Sequence, residues 1–336
     1  MKKTLSNNIV FIIITLVVIL TAFVSYFYGY VGKNPFQTEE ELLNPVKVSV
    51  SDYGMAYITD AGASIYLTDS DNKLNNIIYC GSSTFEYAVD AVITDNGNVY
   101  VQDRSYDDNG VDIYGERILK FSPKGKLEEV LYEFENEDYE EAVYIDSLEV
   151  REGEVYFSEI SNYGVSVKKL VDGETVEIAY GEYNNDNSAI ADTSFYIDES
   201  GAVSIAAALK NGDIYSLNGE ESTKIYNARE HDSKDYFSIV SELAYSETGT
   251  LYLCDIGRRV IYSLSSDGTL NTLISNNRFT ETEPSESFAL SPLYTGLDTT
   301  GGVISVLTAE YFYDSENDEE IYLYGIAGVS DSGKEM

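Results

Sequence analysis

Residues Gly249 to Gly268 read GTLYLCDIGRRVIYSLSSDG. Apolar and polar residues alternate through the first half, IGRR forms a polar corner, VIYSLS alternates again, and Asp267-Gly268 marks a turn. Two short β-strands joined by tight turns account for this pattern. Related text recurs at Gly54 (GMAYITDAGASIYLTDSD), Gly97 (GNVYVQD, then RILKFSPKG), Gly153 (GEVYFSEI, then VSVKKLVDG), Gly201 (GAVSIAAALKNGDIYSL) and Gly301 (GGVISVLTAEYF, then EEIYLYGI). Six copies at a spacing of about fifty residues predict a repeat architecture.

The first unit shows four strands: VKVSVSD (46–52), GMAYITD (54–60), ASIYLTD (63–69) and LNNIIYC (74–80). The second runs from Tyr87 to Phe134, and its polar insertion SYDDNGVDIYGE (105–116) reads as a surface loop. Units three, four and five cover Tyr144–Tyr183, Ala191–Arg229 and Phe237–Asn276, and a loop through Arg278 to Ser291 leads to the sixth. One small sheet cannot bury both its faces alone. Stacking such sheets in a ring buries them and leaves no long exposed edge. The expectation is therefore an all-β chain, a six-bladed β-propeller over residues 45–336. Unit six supplies three clear strands, LYTGLDTT, GVISVLTAEYF and EEIYLYGIAG. Its fourth must come from the tail AGVSDSGKEM or from the segment around Leu42-Leu43 folding back.

Before the repeats, Val10 to Tyr28 (VFIIITLVVILTAFVSYFY) is apolar apart from hydroxyls and close to the roughly 20 residues that cross a bilayer. Lys2 and Lys3 precede it and acidic sequence follows, which puts the N-terminus in the cytoplasm. Bulky aromatics after Ala22 and Ser25 suit a signal peptidase poorly, so the segment reads as an uncleaved signal anchor. The expected organisation is a cytoplasmic N-terminus (1–8), one transmembrane helix (9–30), a linker (31–44) and a propeller outside the cell membrane (45–336).

Tyrosine is abundant (30 residues) while Trp is absent, a composition suited to pleated strands with polar tips. The formal net charge is −37. Nucleic acids are bound chiefly through phosphate neutralisation, so they are excluded as partners of the soluble part. The charge reads first as a solubilising surface, and alternatively as an attraction for cations or basic ligands. Cys80 and Cys254 fall in different layers of non-adjacent units, so no disulfide is expected.

The segments GNVYVQD with RILKFSPKGKL, and GTLYLCDIGRRVIYSLSSDGTL, resemble NHL-type repeats, whose units read Gly-x-hydrophobic-Tyr-Val-x-Asp, then Arg-Ile-x-x-Phe and Gly. Units two and five match well, one and three moderately, four and six weakly. The resemblance implies a six-bladed propeller over about residues 45 to 326 and says little about function, because that fold hosts receptors, scaffolds, lyases and lactonases. Similar anchored bacterial propellers serve as extracellular sensor parts of signalling proteins.

Aligned on their turn glycines, the units place Lys47, Asp90, Asp146, Ser194, Glu242 and Tyr294 in one column, seven residues before the glycine. In a propeller the first strand of each blade lines the channel, so these six are the expected ligand-binding residues at the funnel mouth. Asp90, Asp146 and Glu242 are the candidate metal ligands, since carboxylates at a shared site either repel or bind a cation such as Ca²⁺. Resemblance to the calcium-dependent six-bladed lactonases implies a metal at this place, held by acidic and amide side chains. Lys47 departs from that pattern. Asp107, Asp108, Asn109 and Asp112 have loose calcium-loop spacing but lack the closing Glu, and His231 is the chain's one histidine, in a polar loop. Arg258-Arg259 is expected to pair with blade carboxylates, and no glycine-rich phosphate loop opens a helix. The reading is a membrane-anchored extracytoplasmic module that binds a ligand or protein without catalysis of its own. The alternative is a metal-dependent hydrolase or lyase using the channel acids.

Overall fold

The structure, a computed structural model, describes residues 45–330 except 60–61, 72, 108–112, 137–141, 184–187, 232–238, 266–267, 276–292, 300–302 and 315–318. The expected membrane anchor and linker, and Asp108, Asn109 and Asp112, lie outside the described residues. Among those described, no helix is long and apolar enough to cross a membrane.

The chain folds as a β-propeller in which each repeat is one antiparallel sheet, strands running in sequence order from the axis outward. Blade one comprises β1 (Lys47–Ser51), β2 (Gly54–Thr59), β3 (Ser64–Thr68) and β4 (Leu74–Tyr79). Blade two comprises β5 (Ala88–Ile93), β6 (Val99–Tyr106), β7 (Ile113–Phe121) and β8 (Leu127–Glu135). Blade three comprises β9 (Tyr144–Arg151), β10 (Glu154–Ser161), β11 (Gly164–Val171) and β12 (Glu174–Glu182). Blade four comprises β13 (Ile190–Ile197), β14 (Val203–Leu209), β15 (Ile214–Asn218) and β16 (Glu221–Tyr226), followed by a helical turn α1 (Ala228–His231). Blade five comprises β17 (Val240–Tyr245), β18 (Leu251–Asp255), β19 (Val260–Leu264) and β20 (Leu270–Ser275). The last repeat forms a three-stranded sheet, β21 (Leu293–Asp298), β22 (Val303–Asp314) and β23 (Glu319–Ser330).

Among the described residues five four-stranded blades are thus present, and the sixth repeat contributes three strands. The described part of the tail does not supply a fourth: Ala327 to Ser330 continue β23, pairing with Val306 to Val303, and residues 331–336 lie outside the described residues. Leu42-Leu43 lies outside the described residues. The insertion in unit two is also not a simple surface loop. It lengthens the β6–β7 hairpin, with Arg104 opposite Glu116 and Ser105 opposite Gly115.

Among the described residues the hydrophobic core is a set of slabs, one at each of the five seams from blade one through to the three-stranded sheet. Strand periodicity explains this, since successive side chains point to opposite faces. Val99 and Val101 of β6 pack with Ile58 and Leu67 of blade one, while Tyr100 packs with Phe157 of blade three. Leu251 and Leu253 of β18 face blade four, whereas Tyr252 and Cys254 meet Leu297 and Val306 of the three-stranded sheet. Second strands buried on both faces therefore read as nearly continuous apolar runs. Neither Cys80 nor Cys254 forms a disulfide. Burial pushes the Cys254 thiol up, so it is an inert packing group.

Blades three and four also join at their outer strands. Gly181 forms an isolated bridge to Gly219, and Glu182 N–H donates to the Gly219 carbonyl at 2.7 Å. A Cβ on Gly181 would stand 2.3 Å from Leu217 Cβ, so only glycine permits this approach.

Candidate functional site

The inner strands β1, β5, β9, β13, β17 and β21 surround the axis, and side chains on them tie each sheet to the next. Asp90 Oδ2 accepts the Leu148 N–H at 3.2 Å. Asp146 Oδ2 accepts from Thr193 N–H at 2.5 Å and its hydroxyl at 2.7 Å. Asp192 Oδ2 accepts the Leu243 N–H at 2.6 Å, and Glu242 Oε2 accepts the Leu297 N–H at 2.7 Å. Asp298 Oδ2 closes the circle on the Val50 N–H at 2.5 Å. The remaining seam uses Ser49 Oγ, which accepts from Ile93 N–H at 3.2 Å. Every acceptor points to the following sheet, so one clasp rule runs around the whole ring.

These clasps give acceptors to backbone donors of the inner strands, and an orphaned buried N–H is costly. The ladder skips a residue between Ala88 and Asp90, between Ile190 and Asp192, and between Val240 and Glu242. Each carboxylate directly follows its bulge. In blade four the bulge lies two residues farther from the hairpin than in blades two and five. Its acid is therefore Asp192, which counting from the glycine missed. Ser194, the residue that the count selected, instead accepts the Tyr245 N–H at 3.0 Å. Tyr294 is placed by its backbone, opposite Thr308 beside another bulge. The acid of that sheet is Asp298, near its hairpin.

Lys47 of blade one reaches into this ring and donates to Glu242 Oε1 at 2.5 Å. Burial works to lower its pKa, but the carboxylates of Glu242, Asp90 and Asp192 outweigh it and hold the ammonium well above its usual range. Asp192 is pushed well up by burial and by Asp146 beside it, against the pull of Lys47. The expected calcium ligands Asp90, Asp146 and Glu242 each spend an oxygen on a neighbouring sheet. Among the described residues no group of three or more His, Cys, Asp or Glu side chains is arranged to hold a metal ion.

A cavity of about 200 Å³ lies on the axis, and Lys47, Asp90, Ser194 and Glu242 line it together with Tyr245 and Asp298. Asp146 is not part of its wall. The cavity extends from the Lys47 level toward the first hairpins of the blades, where Glu149 and Arg151 also line it. Arg151 pairs with Glu149 at 2.7 Å, donates to the Ile197 carbonyl at 2.9 Å and lies over the Tyr196 ring.

Burial pushes the Glu149 carboxyl up to about 7; Arg151 opposes this while Asp298 and Asp90 add to it. The folded chain then holds this proton where the unfolded chain, with an ordinary carboxyl, has released it. Stability contributed by Glu149 is unaffected well below pH 4.5, falls as pH rises toward about 7, and levels off above it. Glu149→Gln removes the titration. Its melting temperature should gain on that of the wild type between pH 5 and pH 7.5, and a constant difference across that range would refute the assignment.

Two further polar clusters explain the repeat motif. Asp103, which ends the Gly-x-hydrophobic-Tyr-Val-x-Asp signature of unit two, accepts the N–H groups of Glu86 and Tyr87 at 2.7 and 3.0 Å and pairs with Arg117. Asp255, its counterpart in unit five, accepts from Ile239 N–H at 2.9 Å and Arg258 N–H at 3.1 Å. Arg258 thus meets the carboxylate through its backbone, while its guanidinium lies over Tyr262. In the second cluster Glu116 is buried, bonds the Ile145 N–H and pairs with Arg104 at 2.7 Å. Gln102 donates to the Ile145 carbonyl at 2.5 Å. Alternation of Gln102, Arg104 and Glu116 across the hairpin was the available signal. His231 ends α1, away from any of these strands in sequence.

No family model matches the sequence, and no curated protein matches it. Among solved structures, the luciferin-regenerating enzyme superposes with a TM-score of 0.52 at 10% identity, covering 87% of this chain and 93% of that one. Virginiamycin B lyase from Staphylococcus aureus gives a TM-score of 0.48 at 14% identity, covering 88% and 97%. The chain shares the β-propeller fold. At these identities the likeness concerns architecture and not chemistry.

Proposed function

We propose that this protein is a membrane-anchored, extracytoplasmic propeller that binds a small polar ligand in its axial cavity. In this reading the three-stranded sheet serves as a sixth, incomplete blade, the repeats are of the NHL type, and the Val10–Tyr28 segment is the anchor. The observation that carries the reading is the cavity itself: about 200 Å³, lined by charged and hydroxyl groups already locked by bonds to neighbouring sheets. Asp90, Ser194 and Glu242, engaged in this way, are held in place to orient a ligand. A cavity of this size suits a small molecule. Acidic groups outnumber Lys47 and Arg151 on the wall, which favours a ligand carrying a cationic group.

Thermal melts of the full chain in detergent with small amines, amino acids, dipeptides and sugars test this. A ligand at about a hundred times its Kd stabilises the native state by about 2.7 kcal/mol. Ser147 lines the cavity, and Ser147→Phe should fill it and abolish the shift. A compound that stabilises both proteins equally binds elsewhere. No shift with any compound would favour a protein partner instead.

A further inference from the structure

We infer that the Lys47 ammonium is a built-in cation of the channel, serving the acids of the inner strands in place of the divalent metal ion expected there. The inference is independent of the ligand reading above. It starts from a mismatch: the column in which metal ligands were expected has a lysine in blade one, and that half-buried lysine reaches into the ring. Its Nζ bonds Glu242 of blade five at 2.5 Å. It also acts electrostatically on Asp90 of blade two, Asp146 of blade three and Asp192 of blade four. The ammonium thus reaches from blade one to a carboxylate of blade five and shares the axial cavity wall with Asp90 of blade two, the place of a cation among the channel acids.

Charge balance supports the same conclusion. Acids held this near one another in a buried or half-buried setting favour a counter-ion or a proton. A tethered ammonium supplies the positive charge without loss of a bound ion on dilution. An ammonium has three donors and no need for six to eight oxygen ligands, so the acids can keep their bonds to neighbouring N–H groups. A calcium ion would have to compete for those same oxygens.

The test uses the full chain. Wild type should melt at the same temperature in Ca²⁺ and in Mg²⁺ at equal concentration, the comparison removing general screening of the acidic surface. Lys47→Ala deletes three methylenes and the ammonium, leaving space matched by propylammonium. This variant should melt lower, and regain several degrees with millimolar Ca²⁺ or propylammonium beyond the effect of Mg²⁺ or NaCl. Lys47→Arg keeps the charge and should stay indifferent to Ca²⁺. If Lys47→Ala does not fold alone, either cation during refolding should restore the wild-type circular dichroism spectrum. A specific Ca²⁺ shift in wild type or in Lys47→Arg would overturn the inference. So would a Lys47→Ala protein that neither cation stabilises or refolds.

Discussion

Glu242→Ala should lower stability by about 3–5 kcal/mol, the range for removing one partner of a buried ion pair. Two losses combine. The Lys47 ammonium is left among the remaining acids without its direct partner, and the Leu297 N–H loses its acceptor at the seam between blade five and the three-stranded sheet. For a domain of this size the drop corresponds to a melting temperature lower by on the order of 10 °C. Glu242→Gln isolates the second loss, because its amide oxygen can still accept from Leu297 while the charge is gone. It should fall between wild type and Glu242→Ala. Urea unfolding of the three proteins measures the order, and a Glu242→Ala protein within about 1 kcal/mol of wild type would show that the clasp contributes little.

Asp103→Ala is the second large effect, expected to cost about 3 kcal/mol. The Asp103 side chain is buried, and its two oxygens serve different partners. One oxygen gathers the Glu86 and Tyr87 N–H groups where the chain enters β5, and the other holds Arg117 of β7. Alanine strands all three and loosens the start of the strand that carries Asp90. Asp103→Asn keeps an acceptor for the two N–H groups and gives up the ion pair, so roughly half the loss should remain. Hydrogen exchange at Glu86 and Tyr87 separates the contributions: both amides should exchange faster in the alanine variant and stay protected in the asparagine one. Fast exchange in both variants would assign the protection to Arg117 rather than to the oxygen.

The polar clusters show how the repeat signature arises. Asp103 and Asp255 stand at the same place in units two and five, each gathering the N–H groups of the approach to its inner strand. Unit four has Ala207 at that position, and Asp213 on the next turn captures the Ala228 N–H at 2.9 Å and pairs with Lys224. A weak match to the repeat thus reflects a relocated carboxylate, with the sheet itself preserved.

Alternation of side chains and the spacing of turn glycines determined the all-β repeat, the strands of each blade and the inner-strand position of Lys47, Asp90, Asp146 and Glu242. Local periodicity suffices for this, because a strand buried on one or both faces writes its pattern into consecutive residues. What the acids do was decided only by tertiary structure. Bulges shift the ladder by one residue and re-aim a side chain, and their positions differ between blades, so Asp192 took the place expected of Ser194. The partners lie about fifty residues away on another sheet, beyond the reach of any local pattern. The same holds for the insertion of unit two, where only the strand pairing sets Arg104 opposite Glu116 and the Ile145 N–H against its carboxylate. Closure of the ring between Asp298 and Val50 joins the two ends of the domain, and that contact exists only once every sheet between them has been stacked.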